Sequence, residues 1–344
     1  MEKQVLVPLD GTMLAHMALP HAATVARATS SRLVLLYVIP ALPADLLSWS
    51  VTRAAAFYHH RRQTSSLMHH YLGATAEDLR DEGFQVHAEV IEGEPAAAIV
   101  SRAEGNHMVE AIVMATHGGR EMDLRFSGSV TEEVQRYCPV DLLLVHPGER
   151  IGSLRRFYGR IYHSVLVALD GSTSDDHALE SARILASAEA KLLLLCAVPR
   201  RDVVQIASEP VELVNILRSG DADAECAAEG ERMRQYLSET AKPFVSAGLS
   251  VETRVMHGDP VEEILGYASQ ANVDLIVMPT DGPTQAIPGF DRLSDNSVAT
   301  TLMRKTSLPV LLTRAALDPA LQAERQVESN GEPAVVRSEE VFVA

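Results

Sequence analysis

The stretch VLVPLDG at Val5–Gly11 returns as VLVALDG at Val165–Gly171. Three more blocks repeat in the same order: RLVLLYVIP (Arg32–Pro40) as KLLLLCAVP (Lys191–Pro199), IEGEP (Ile91–Pro95) as MHGDP (Met256–Pro260), and AIVMATHG (Ala111–Gly118) as LIVMPTDG (Leu275–Gly282). Blocks this far apart are too widely spaced for a solenoid, so each copy is expected to be a complete domain with its own core. The expected domains are 1–147 and 161–315. A linker at 148–160 separates them, where glycines and Arg150, Arg155, Arg156 and Arg160 interrupt the apolar pattern. The acidic tail at 316–344 has no periodicity and is expected to be mobile, although its VFVA terminus can dock as a short strand.

Within one copy, short β-branched runs alternate with longer helical patterns, the mark of βαβ units and a parallel sheet. In the first copy the pattern predicts strands at 4–9, 32–39, 84–91, 109–115 and 140–145, and helices at 14–29, 52–82, 95–106 and 128–137. AIVMA and LVLLYVI are continuously apolar because parallel strands are covered on both faces. The fold class is α/β: two tandem doubly wound domains, each a five-stranded parallel sheet of order 3-2-1-4-5 with helices on both faces. In that order the ligand crevice lies beyond the carboxyl ends of strands one and four. Asp10 and Ala115–Gly118 stand there in copy one, and Asp170 and Pro279–Gly282 in copy two.

Composition narrows the function. The 344 residues carry a net charge of −16, which repels nucleic-acid backbones and anionic lipid headgroups, so neither is an expected partner. Cys138, Cys196 and Cys226 form no C-x-x-C pair, and no apolar run approaches the ~20 residues of a membrane helix. A cytoplasmic, globular protein without signal peptide or membrane span is expected.

After strand four, copy one reads MATHGGREMDLRFSGSVTEEV, in which nine residues separate Gly118 from Gly128–Ser129 at a helix start. Glycines admit a phosphate close to the backbone, a helix start offers unpaired N–H groups, and Ser129 adds a hydroxyl. Arg120 and Arg125 can neutralise charge. Ser129 followed by Glu132 is also a capping box, so the hydroxyl can serve the helix as well as a ligand.

These motifs resemble the universal stress protein family over both copies. The resemblance implies the five-stranded fold already read from the pattern and, in the nucleotide-binding branch, a G-x-x-G-x9-G-[ST] loop that holds ATP phosphates. Carried onto copy one, it implies a site formed by Pro8, Leu9, Asp10, Val38, Met114, Ala115, His117, Gly118, Arg120, Arg125, Gly128, Ser129 and Val130. Asp10 would sit by the ribose and Val38 by the adenine. Ala115 stands where the first loop glycine is expected, a substitution costing about 1 kcal/mol if that position needs positive φ. The implied ligand is ATP or a related adenine nucleotide, with Mg2+. Pairing through strand five, near Val140–Val145 and Val310–Thr313, implies an intrachain pseudo-dimer, with a homodimer as a further option.

Copy two reads MPTDGPTQAIPGFDRLSDNSV. Pro279 replaces the first glycine, Asn296 the third, and thirteen residues separate Gly282 from Asn296. Asp281, Asp291 and Asp295 bring negative charge where phosphates would lie, opposed by Arg292. Asp170, Val198, Gly282 and Ser297 are the equivalents there, in a phosphate loop expected to be degraded. Asp10 and Asp170 also suit a plain turn before a helix. The doublets His59–His60 and His69–His70 lie about 15 Å apart along a helix and cannot share a metal. No catalytic triad, zinc motif or Walker A sequence is present, and no receiver-type acids and lysine. The expected function is regulatory nucleotide binding without catalysis; the alternatives are a stress-induced or chaperone-like scaffold that binds no nucleotide, and a weak ATPase.

Overall fold

The computed structural model describes residues 2–42, 49–116, 130–146, 162–199, 221–280 and 297–314. The first half runs β1 (Gln4–Pro8), α1 (Met13–His16), α2 (Ala18–Thr29), β2 (Arg32–Pro40), α3 (Val51–Asp81), β3 (Val86–Gly93), α4 (Pro95–Glu104), β4 (Val109–Ala115), α5 (Val130–Tyr137) and β5 (Asp141–Val145). The second repeats the plan with β6 (Tyr162–Leu169), α6 (Asp175–Leu185), β7 (Ala186–Val198), α7 (Asp221–Ser246), β8 (Ser250–His257), α8 (Pro260–Gln270), β9 (Leu275–Thr280), α9 (Val298–Lys305) and β10 (Val310–Arg314). The one helix expected over 14–29 is broken at Met17. Pro20 supplies no N–H and its ring crowds the carbonyl four residues back, so the chain restarts as α2.

Each half has strand order 3-2-1-4-5, and the two join into one 10-stranded sheet, β3-β2-β1-β4-β5-β10-β9-β6-β7-β8. Neighbouring strands are parallel within each half, and among the described residues the single antiparallel pairing is β5 with β10. One core layer packs α1, α2, α3, α6 and α7 against one face, and the other packs α4, α5, α8 and α9 against the opposite face. Both layers cross the junction. Central strands β1, β4, β6 and β9 are apolar on both faces, whereas the terminal strands β3 and β8 carry Glu89, Glu92, Glu252 and Arg254, charges that discourage pairing with another edge.

The seam pairs Leu142 with Leu312, Leu143 with Leu311 and Leu144 with Val310. Pro139 and Pro309 precede matching strands, which makes Leu142 and Leu312 equivalent residues facing one another on a pseudo-two-fold axis. The polar contacts around them are not symmetric. Asp141 accepts from the Arg314 amide at 2.9 Å, His177 Nε2 at 2.9 Å and Ser181 Oγ at 3.2 Å. The equivalent of Asp141 in the second half is Leu311. Elsewhere His21 Nδ1 shares a hydrogen bond of 2.6 Å with the Tyr162 hydroxyl, His146 Nε2 donates to the Met303 carbonyl at 2.8 Å, and Gln135 Nε2 donates to Thr300 Oγ1 at 3.3 Å.

The hydrogen bond to Asp141 raises the pKa of His177 above the usual histidine value, against its partial burial. A raised folded pKa gives stability that is present below about pH 6.5 and is lost as pH rises through the folded value. Thermal melts are therefore expected to fall from pH 6.5 to 8.5, with a shallower fall in His177→Gln. Burial lowers the pKa of His146, so its contribution is lost instead as pH falls below about 6.5. An unchanged slope above pH 6.5 in His177→Gln would remove this assignment.

Candidate functional site

The first-half crevice opens where the chain leaves β1 for one face of the sheet and β4 for the other. Asp10 follows β1 directly and is exposed. Its Oδ1 accepts from the Thr12 amide at 2.8 Å and the Thr12 hydroxyl at 2.6 Å, while Thr12 Oγ1 caps α1 by accepting from the Ala15 amide at 3.2 Å. One carboxylate oxygen therefore shapes the turn, as the plain turn reading expects. The other oxygen makes no hydrogen bond among the described residues. Gly11 has φ +82°, and an added Cβ would lie 3.2 Å from Met68 Sδ, so the turn requires glycine on both counts.

Beside this polar turn lies an apolar strip. Val38, Met114 and Val130 all pack into the layer of α4 and α5, with Met114 buried and the two valines half-buried. Leu9 is buried and its amide extends the β1–β2 ladder to the Leu36 carbonyl at 2.8 Å; Pro8 is half-buried. Beyond Ala115, the Thr116 amide donates to the Val145 carbonyl at 2.8 Å and pins the exit of β4 to β5. Pro8, Leu9, Asp10, Val38, Met114, Ala115 and Val130 thus gather at one end of the sheet. His117, Gly118, Arg120, Arg125, Gly128 and Ser129 lie outside the described residues.

In the second half, Asp170 accepts from the Ser172 amide at 2.9 Å in the same turn, and Gly171 has φ +83°. Val198 is buried at the end of β7. Ser297 caps α9 by accepting from the Thr300 amide at 3.1 Å, so the capping role expected for this serine position is present here. Gly282, Asp281 and Asn296 lie outside the described residues.

Several crevice residues were not expected from the sequence. In the second half, buried Asp175 Oδ2 accepts from the Gly171 amide at 2.8 Å and from the Tyr236 hydroxyl at 2.7 Å. Burial raises the pKa of Asp175, and burial together with the bond to Asp175 raises that of Tyr236. The first half has Tyr37 and Tyr71 near Asp10; burial first and the Asp10 carboxylate second raise the pKa of both phenols. His16 lies against Tyr71, with ring centroids 5.3 Å apart. A sequence signal for the tyrosine pair existed: Met68-x-x-Tyr71 on α3 recurs as Met233-x-x-Tyr236 on α7.

His59, His60, His69 and His70 are all exposed on α3, and no cluster of three metal-binding side chains occurs among the described residues. Burial pushes the Cys138 and Cys196 thiols up to about 11, which keeps both protonated and unreactive at neutral pH. No helix among the described residues is long and apolar enough to cross a membrane.

The universal stress protein family model matches residues 1–146 and 161–314. A universal stress protein of Bacillus subtilis (strain 168) is 29% identical over 160 residues, covering 45% of this chain and 100% of that protein. One from Methanocaldococcus jannaschii is 28% identical over 169 residues, covering 48% and 89%. The crystal structure of a universal stress protein from Archaeoglobus fulgidus DSM 4304 aligns over 90% of this chain and 98% of that one, with a TM-score of 0.61 at 18% identity, and so shares the fold.

Proposed function

The chain belongs to the universal stress protein family, and from that membership we propose that it binds ATP or a related adenine nucleotide in its first half as a regulatory ligand, without catalytic turnover. The observation that supports this most is the pairing of the exposed Asp10 carboxylate with the Val38–Met114–Val130 strip at the switch point of the sheet. The strip suits a base, and the carboxylate suits sugar hydroxyls. The Gly118 to Ser129 sequence that follows β4 supplies glycines, arginines and a hydroxyl suited to phosphates. With no metal-binding cluster among the described residues, Mg2+ would arrive with the nucleotide and be held chiefly by its phosphates. In a chain of net charge −16, nucleotide binding depends on this local arrangement against the overall field.

Adenine nucleotide is expected in the supernatant when the purified protein is heat-denatured. Mg-ATP at one hundred times its dissociation constant should stabilise the nucleotide-free protein by about 2.7 kcal/mol. Val38→Glu, which puts a charge into the apolar strip, should abolish both signals while the far half stays folded. Absence of nucleotide together with an unchanged melt in Mg-ATP would sink the proposal.

A further inference from the structure

The second half holds a thiol and an imidazole where the first half has an ion pair. In the first half Arg61 on α3 and Glu92 near the end of β3 close a salt bridge of 2.7 Å. The internal repeat identifies their counterparts. Arg61 precedes Met68 by seven residues as Cys226 precedes Met233, and the two methionines lie against the positive-φ glycines Gly11 and Gly171. Glu92 pairs in register with Ile39 on β2, as His257 does with Val198 on β7. Cys226 therefore takes the place of Arg61 and His257 that of Glu92. The two remain in contact, with Cys226 Sγ 3.4 Å from His257 Nδ1.

The pair is both held and reachable. Gly230, one turn after Cys226 on α7, is buried, and a Cβ there would lie 2.7 Å from His257 Cε1 and 2.9 Å from its Nε2. Glycine weakens a helix interior, but at this position it leaves the space that the imidazole fills. Cys226 and His257 are half-buried, whereas Cys138 and Cys196 are buried. As a fastener, a thiol hydrogen bond is weak. As chemistry, a thiol with a base in hydrogen-bond reach is the arrangement of an activated sulfur nucleophile.

We infer that Cys226 is a site of reversible oxidation by hydroperoxides, with His257 as its proton acceptor. With the ring proton on Nε2, Nδ1 takes the thiol proton. The thiolate attacks the terminal peroxide oxygen, and the S–O bond forms as the O–O bond breaks. Sulfur gives up two electrons, and the departing oxygen takes the imidazolium proton to leave as water or an alcohol. The product is a sulfenic acid, the stage of cysteine oxidation that small thiols reverse. This site lies at the strand ends of the second half and does not depend on nucleotide binding in the first.

Alkylation and peroxide trapping of the native full chain test this. At pH 7 iodoacetamide should modify Cys226 about tenfold faster in the native protein than in the urea-unfolded chain, where no imidazole is held beside it, and should spare Cys138 and Cys196. Hydrogen peroxide followed by dimedone should give one adduct, mapped to Cys226 by peptide mass spectrometry. His257→Gln removes the base and Gly230→Ala displaces it, so each should slow both reactions by about tenfold. A Cys226 that alkylates no faster native than unfolded, or that keeps its rate in both variants, would be a merely packed thiol and the assignment wrong. Fast alkylation without a dimedone adduct would overturn the hydroperoxide as its reactant.

Discussion

Leu312→Lys is expected to destabilise the protein by more than about 3 kcal/mol, because it places an unpaired ammonium at the centre of the seam. Leu312 is fully buried, pairs with the equally buried Leu142 across the antiparallel junction, and faces the core layer of α4, α5, α8 and α9. A lysine there can reach no carboxylate without opening the pairing between the halves. The expected record in urea is a lower midpoint and a split of one transition into two, since each half retains most of its own layers. Arg304→Ala is the matched control. Arg304 also crosses the seam, to Glu132 at 3.3 Å, but both side chains are about half exposed and the loss should stay under about 1 kcal/mol. Equal effects from the two substitutions would show that the leucine pair is not what joins the halves.

Tyr162→Ala should cost about 3–5 kcal/mol. Tyr162 heads the largest fully buried side chains, opens β6, and carries the 2.6 Å hydrogen bond to His21 on α2 of the other half. Tyr162→Phe keeps the ring and deletes that bond, so it should cost about 1 kcal/mol. The difference between the variants separates packing from polar contact at one residue. Near-equal losses would assign the whole effect to the hydrogen bond.

Most of the architecture was legible because its causes are local. Continuous apolar runs such as LVLLYVI mark strands covered on both faces, and Glu94-Pro95 and Asp259-Pro260 mark helix starts, where both acids do cap. The alternation of elements in each copy marked a parallel sheet, and the strand order is the common doubly wound one for five strands. What was not legible depends on residues far apart in sequence. Asp141 reads as an ordinary strand residue until Arg314, His177 and Ser181 are brought to it, and nothing local pairs His21 with Tyr162. In the crevice, Asp10 was legible because a glycine and a strand end frame it. Tyr71 was hidden inside a long polar helix, and the missing partner of its hydroxyl is visible only beside the bonded Tyr236.

The closure of β5 on β10 within one chain also bears on how such a protein can change. When two identical chains meet through a symmetric edge, every mutation is delivered twice, so a residue that improves one crevice must be tolerated in the other and at its own mirror image on the axis. Fusion delivers each mutation once. Asp141 can face Thr313 and Arg314 instead of a second Leu143 and Leu144, and the two crevices can carry an aspartate at 175 and an alanine at 15. The tandem chain can thus divide labour between its halves, one free to specialise in a ligand and the other in holding the fold.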